Sequence, residues 1–219
     1  REARRYLAST WDFEGALKMF PTRLHHERIM LHYLAKHPND YYGAIRTLPL
    51  AVRQLFIEAY QAYLFNLTLS ARIEMGLPLA LPVPGDLVML GGNEKALIRA
   101  TESNLEKLRD LVSQGKAQVV GNVFGYASVP AEGDPGHIER EVLRREGISL
   151  DAFRVKSMPE ISSKGTVRPL AFNPLNLSWR VYLEEAPCAL FRFVLRKGSY
   201  ATVFIREIVK PEDPVNQGF

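Results

Sequence analysis

The run from about Leu50 to Met75 contains neither glycine nor proline and stops at Gly76, the left-handed position that ends many helices. Val52, Leu55, Phe56, Ala59, Tyr63 and Leu67 make one stripe at helical spacing, and Ile57, Tyr60 and Leu64 make another. The pattern predicts one long helix, apolar nearly all round and clasped by other structure on several sides. A chain built on such a helix needs a sizeable core, and 219 residues at 47% hydrophobic content can supply one. Asn66 falls on the Val52, Phe56, Tyr63, Leu67 side, where a buried amide needs a partner. It either braces the helix or faces a site. The next ten residues, GLPLALPVPG, hold Pro78, Pro82 and Pro84 and mark a boundary or linker. Asn66, Arg72 and Glu74 interrupt the apolar neighbourhood from Ala59 to Leu81, so it does not read as a membrane span.

Upstream, the punctuation is helical. REARRYL reads as a charged helical run, and its start without Met suggests a fragment of a longer chain. Ser9 or Thr10 can cap a helix over Trp11 to Phe20, Pro21 interrupts it, and Leu24 to Lys36 follows. His37 to Asp40 is a turn before a short helix over Tyr41 to Arg46. Downstream of the prolines, strands and helices alternate. Strands are expected over Asp86 to Leu90, Ala96 to Ala100 and Gln118 to Tyr126, with a helix opened by a Ser103/Glu106 capping box. Asp134-Pro135 opens a helix that runs to Gly147, Ser149 caps a short one, and strands follow over Thr166 to Phe172, Leu177 to Leu183 and Ala189 to Leu195.

The period then changes within FRFVLRKGSYATVFIREI. Leu190, Arg192, Val194 and Arg196 share one face of a strand, and Phe191, Phe193 and Leu195 share the other. After Gly198, Ala201, Phe204, Ile205 and Ile208 fall at helical spacing, with Ser199 as the natural N-cap. Free N–H groups at such a helix start, with Arg196 and Lys197 just before them, suit a phosphate. The same residues also read as an ordinary strand-turn-helix corner with solvated cations. Arg168, in KGTVRPL, likewise suits either a phosphate or solvent.

Several chemistries are excluded. The single Cys188, placed at the start of an apolar strand and expected in the core, allows no internal disulfide or cysteine metal cluster. His25, His26, His32 and His37 lack zinc-site spacing and read as solvated or capping groups. The glycines match no phosphate loop or dinucleotide fingerprint. A net charge of +4 permits a nucleic-acid partner without demanding one.

Three segments together resemble the TruD family of tRNA pseudouridine synthases, particularly its archaeal members. Ala59-Tyr60-Gln61-Ala62-Tyr63-Leu64-Phe65-Asn66 with Leu69-Ser70-Ala71-Arg72-Ile73 is similar to the family's signature helix. Lys197-Gly198-Ser199-Tyr200-Ala201-Thr202 with Arg206-Glu207 is similar to its C-terminal motif, and Phe20 to Pro49 is similar to the archaeal segment before the signature helix. The resemblance implies isomerisation of uridine-13 of tRNA to pseudouridine, in the cytoplasm, with tRNA as partner and with no cofactor, metal or membrane.

It also implies an α+β fold: part of a mixed-sheet catalytic domain, interrupted by an inserted α/β TRUD domain. The expected boundaries are 1–76 for the helical part of the catalytic domain, 77–186 for the insertion and 187–219 for the strand-helix return. Residues expected to frame the site or hold RNA are Asn66, Arg72, Arg168, Arg192, Phe193, Arg196, Lys197, Gly198, Ser199, Tyr200, Thr202 and Arg206. The family's catalytic aspartate stands in a Lys-Asp motif, and this sequence has no Lys-Asp pair; Asn-x-Phe-Gly-x-x-Arg is absent too. The aspartate is therefore expected from an N-terminal part of the same protein, or else the chain is a non-catalytic RNA-binding module derived from that fold.

Overall fold

The computed structural model describes residues 2–94, 96–183, 187–196 and 198–218. The fold is α+β, made of helices, an antiparallel hairpin and a sheet whose registered pairs are antiparallel. Two compact units interleave along the chain. The first takes Arg1–Ala71, Asn122–Ala131 and Pro135–Thr166; the second takes Arg72–Gly121, Glu132–Asp134 and Val167–Phe219.

The first unit is helical, with α1 (Glu2–Thr10), α2 (Phe13–Met19), α3 (His25–Lys36), α4 (Tyr41–Arg46), most of α5 (Leu50–Glu74) and most of the helix Gly133–Arg145, which opens one residue before Asp134. Two of its helix starts repeat one device. Asp12 accepts from the Gly15 amide at 2.9 Å and from the Tyr6 hydroxyl at 2.6 Å; Asp40 accepts from the Gly43 amide at 2.8 Å and from the Tyr33 hydroxyl at 2.7 Å. At the glycine three residues after each aspartate a Cβ would lie 2.1 Å from Asp12 Oδ2 or 2.2 Å from Asp40 Oδ2, so a side chain there would push the aspartate and its tyrosine partner aside. The cap of α2 is therefore Asp12 and not Ser9 or Thr10. The Thr10 hydroxyl is turned back to the Tyr6 carbonyl at 2.8 Å, and Trp11 makes the turn at φ 53°. Ala16, Phe20 and Leu31 are buried beneath Tyr6, Leu7, Phe13 and Leu17.

Helix α5 ends as its glycine predicts. Gly76 lies at φ 71°, and the Leu77 amide closes on the Arg72 carbonyl at 3.1 Å. Its surroundings differ from expectation. Leu64 and Phe65 are buried, but Leu55, Phe56, Ala59, Tyr63, Asn66, Ser70 and Ile73 form a continuous exposed stripe among the described residues. An all-round apolar pattern states how much of a helix can be covered, and the described residues cover only part of this one.

The second unit holds a four-stranded sheet in the order β2-β1-β3-β4, made of β1 (Leu87–Leu90), β2 (Leu97–Arg99), β3 (Ala117–Val123) and β4 (Thr166–Pro169). Val88 stands opposite Val119, and Leu90 opposite Ala117; Val88 and Ala117 pack on Leu105 and Leu108 of α6 (Leu105–Ser113). Leu87, Met89 and Val120 form the other face with Leu97 and Val167. Both faces are thus sealed. The Ser103 capping box does not form. Asn104 is the N-cap, and its side chain instead accepts from the Thr101 amide at 2.8 Å. The loop leading into α7 (Gly133–Arg145) meets this unit at Gly85, where any side chain would lie 2.1 Å from the Glu132 carbonyl oxygen.

A separate hairpin completes the unit: β5 (Leu175–Tyr182) and β6 (Cys188–Val194), followed by α8 (Ala201–Val209). Every residue of β5 is exposed, and in β6 only Phe191 and Phe193 are half-buried. Cys188 is exposed, not in the core, because nothing among the described residues covers that face. No described helix is long and apolar enough to cross a membrane.

Candidate nucleic-acid interface

The signature-helix residues divide by face. Gln61 is 3% exposed and its amide donates to the Phe124 carbonyl and, at 2.8 Å, to Ser163 Oγ, which fixes the helix to the chain that follows β3. On the outer side, the Tyr60 and Tyr63 rings stack at 6.1 Å and the Tyr63 hydroxyl donates to Glu146 at 3.2 Å. That bond, and then the charge of Glu146, raises the Tyr63 pKa above the ordinary phenol value. Asn66 lies on this outer stripe and is exposed, so the partner that a buried amide would require is not needed. Val52 and Leu67 suggest burial for a stripe that only part of the protein covers, which is why the sequence pattern points to the wrong side.

Arg72 closes the same helix differently. It is 4% exposed and bound at two points to Asp86, with Nη1 to Oδ1 at 2.6 Å and Nη2 to Oδ2 at 2.8 Å. Its Nε and Nη2 also reach the Pro78 carbonyl, and Asp86 Oδ2 takes the Val83 amide at 2.8 Å. The fork of the guanidinium therefore knots the proline-rich turn.

The C-terminal motif is open. Register sets Ser178 opposite Arg192 and Arg180 opposite Leu190 on one face of the hairpin, and Trp179 opposite Phe191 and Val181 opposite Ala189 on the other. Phe193, on the aromatic face, meets Phe204 edge-on at 4.7 Å, which seats α8 there. Arg180, Arg192 and Arg196 are exposed and form no carboxylate pair among the described residues. Gly198 takes φ 88°, a conformation that strains any other residue.

Tyr200, not Ser199, occupies the N-cap, and no side chain caps the helix. The Ser199 amide is instead turned back to the Arg196 carbonyl at 3.1 Å, one residue too early for its hydroxyl to serve. Thr202 and Arg206 are exposed on α8. Arg168, from β4, lies 5.9 Å from the Tyr200 ring centroid, so two residues distant in sequence form one cation–aromatic pair. Lys197 lies outside the described residues.

Asn66 belongs to the first unit; the hairpin, Arg168 and α8 belong to the second. Sequence reasoning missed Asn122 and Glu139. Asn122 Nδ2 donates to Glu139 Oε1 at 2.8 Å and to the Val129 carbonyl at 3.0 Å, and the Ala131 amide donates to Glu139 Oε2 at 2.8 Å. The polar Asn122 inside the otherwise apolar run GNVF was the available signal for the first of these. Asn122-Val123-Phe124-Gly125 has the first four positions of Asn-x-Phe-Gly-x-x-Arg, with Ser128 where the arginine would stand. Its asparagine ties the loop down. No group of three or more His, Cys, Asp or Glu side chains converges among the described residues. The His37 ring lies tilted against the Tyr33 ring, with centroids 4.6 Å apart.

The family profile described as tRNA pseudouridine synthase D (TruD) matches residues 1–208. A Thermococcus gammatolerans protein provisionally named tRNA pseudouridine synthase D is 44% identical over 213 residues, covering 95% of this chain and 50% of the relative. A Methanococcoides burtonii protein of the same provisional name is 37% identical over 223 residues, covering 97% and 50%. A crystal structure of a Methanosarcina mazei protein, also provisionally named TruD, superposes with a TM-score of 0.90 at 35% identity, over 98% of this chain and 51% of that one. The chain thus spans about half the length of the relatives it matches. A profile that runs unbroken through both the signature helix and the C-terminal motif makes this chain a member of the TruD family.

Proposed function

We propose that this chain is the tRNA-holding half of a cytoplasmic pseudouridine synthase that converts uridine-13 of tRNA to pseudouridine. The observation that carries the reading is the family match over residues 1–208, which contains every motif residue of the signature helix and of the C-terminal element. A base within a helical arm must be extruded before its glycosidic bond can be broken, which needs cations along the backbone and an aromatic surface for the displaced base. Arg192, Arg196, Lys197 and Arg206 fit the first role; Tyr200, with Arg168 over its ring, fits the second. Asn66 and Thr202 are assigned to the frame around the nucleotide. In this reading, 1–76 and 187–219 belong to the catalytic domain, and 77–186 is the inserted domain. No Lys-Asp pair occurs in the chain, so the aspartate of the family comes from polypeptide outside it.

That same observation favours a second reading, in which the chain binds RNA and catalyses nothing. Binding comes first in either case. The chain is expected to bind unmodified tRNA with an affinity that falls steeply with salt. Arg192→Ala with Arg196→Ala should weaken binding and flatten the log–log salt slope by about one unit for each phosphate that is no longer neutralised. Binding that ignores salt, or an unchanged slope in the double variant, would remove these arginines from the interface.

A further inference from the structure

Two helix starts of the first unit follow one plan, and one of them departs from it at a single residue. A residue at positive φ, an aspartate, an aromatic residue, one further residue and a glycine occur as Trp11-Asp12-Phe13-Glu14-Gly15 and again as Asn39-Asp40-Tyr41-Tyr42-Gly43. In each, the aspartate accepts from the glycine amide and from an upstream tyrosine hydroxyl. Asn39, at φ 72°, is the residue type that the left-handed region tolerates, whereas Trp11, at φ 53°, is a bulky residue that the same region strains. The turn can therefore be made without tryptophan. Burial does not offset the strain either: the Trp11 ring meets Phe13 at 6.3 Å and Tyr41 at 6.2 Å, both edge-on, and the residue stays 62% exposed.

The charge of the two turns selects what the open ring can meet. Residues 10–15 and 37–43 carry Asp12, Glu14 and Asp40 and contain no Lys or Arg, in a chain of net charge +4. Lys18 lies near Asp12 and Arg46 near Asp40, while Glu14 forms no ion pair among the described residues. Such a surround repels phosphate and attracts a cation. A planar guanidinium stacks on an aromatic face, and the first unit already uses that contact internally, with the Arg154 guanidinium 4.1 Å from the Tyr126 ring centroid.

We propose that the exposed face of Trp11, with Tyr41 beside it and the carboxylates of the two turns nearby, docks an arginine side chain from a basic segment of a partner protein. The guanidinium stacks on the indole, and Glu14, in the first turn of α2, is the carboxylate left to pair with it. Neither the signature helix nor the C-terminal motif contributes to this surface, so it and the proposed reaction can fail separately.

Trp11 and Trp179 are the two tryptophans of the chain, so fluorescence in a Trp179→Phe background reports on Trp11 alone. The probe is a short peptide alternating Gly and Arg, with a citrulline copy that keeps the shape of each side chain and removes its charge. The arginine peptide should shift Trp11 emission and bind about tenfold more tightly than the citrulline copy. Glu14→Gln should weaken arginine-peptide binding several-fold with helical content unchanged. Trp11→Asn, followed by the anisotropy of a labelled peptide, should lose the preference for arginine while its urea midpoint stays at or above that of the parent. Equal binding of the two peptides would overturn the proposal. So would a Trp11→Asn midpoint clearly below the parent's, which would make the ring a structural one. Unmodified tRNA that shifts Trp11 emission and displaces the peptide would assign the surface to RNA and overturn it as well.

Discussion

Two β structures of the second unit are built from similar residues and end in opposite environments. Leu87, Val88 and Met89 of β1 are each at most 5% exposed, whereas Trp179 and Val181 of β5 are each more than half exposed. β5 alternates apolar with polar residues and Leu87–Leu90 are apolar throughout, so both strands carry enough apolar surface to bury at least one face. The difference lies in what covers them. In the first, α6 packs on one face, and Leu87, Met89 and Val120 are buried on the other with Leu97 and Val167 beside them; in the second, α8 reaches only Phe193. Strand pattern reports a capacity for burial, and the rest of the molecule decides whether that capacity is used.

The sharpest way to break this contrast is to attack the knot beside the sealed sheet. Asp86→Ala leaves the Arg72 guanidinium buried without its counter-charge and should cost about 3 to 5 kcal/mol, read as a lower urea midpoint. A midpoint within error of the parent would show that Arg72 can turn to solvent. Next comes a matched pair of leucines. Leu108→Ala, beneath the sealed sheet, should cost about 2 to 5 kcal/mol, while Leu190→Ala on the open hairpin should stay within about 0.5 kcal/mol. Equal losses would mean that the hairpin is covered in this chain after all.

Asn66→Ala belongs with the small effects on stability, because its amide is exposed. A large loss there would contradict the outward placement of its stripe.

The smallest effect concerns acid. Asp12 is held below the usual carboxylate range, first by the Tyr6 hydroxyl and then by the Gly15 amide; Asp40 is lowered by Tyr33 and Gly43 in the same way. Hydrogen bonds from Arg144 and Arg145 bring Glu141 from 4.5 to about 2. Each folded value lies below the unfolded one, so the stabilisation is complete above the unfolded value and is lost as pH falls through the folded one. Helical circular dichroism should therefore hold at pH 5 and decline between about 4.5 and 2. Helix loss that begins above pH 5 would point to other groups.

Much of the fold was legible because its signals are local. The α5 run, its Gly76 stop, the Asp134-Pro135 helix start and the period change after Gly198 each depend on a few neighbouring residues. Helix caps were less legible. Ser9, Thr10, Ser103 and Ser199 are all capable caps, yet Asp12, Asn104 and Tyr200 hold the positions, because the cap is set by where the backbone turns. Trp11 at φ 53° moves one such turn by two residues. Burial was least legible: the patterns around Asn66 and Cys188 point inside and both are exposed, since what covers a residue depends on chain distant in sequence. For the candidate site, the motif residues were identifiable individually, whereas the pairing of Arg168 with Tyr200 depends on β4 and α8 meeting in space.

In the proposed function this chain holds tRNA for a reaction whose aspartate it does not carry. The direct measurement is pseudouridine mapping on unmodified tRNA incubated with this chain alone and with the same chain joined to the unmatched half of a family relative. Pseudouridine is expected at position 13 with the joined protein and none with the chain alone. Conversion by the chain alone, or tRNA left unmodified by a folded joined protein, would contradict it.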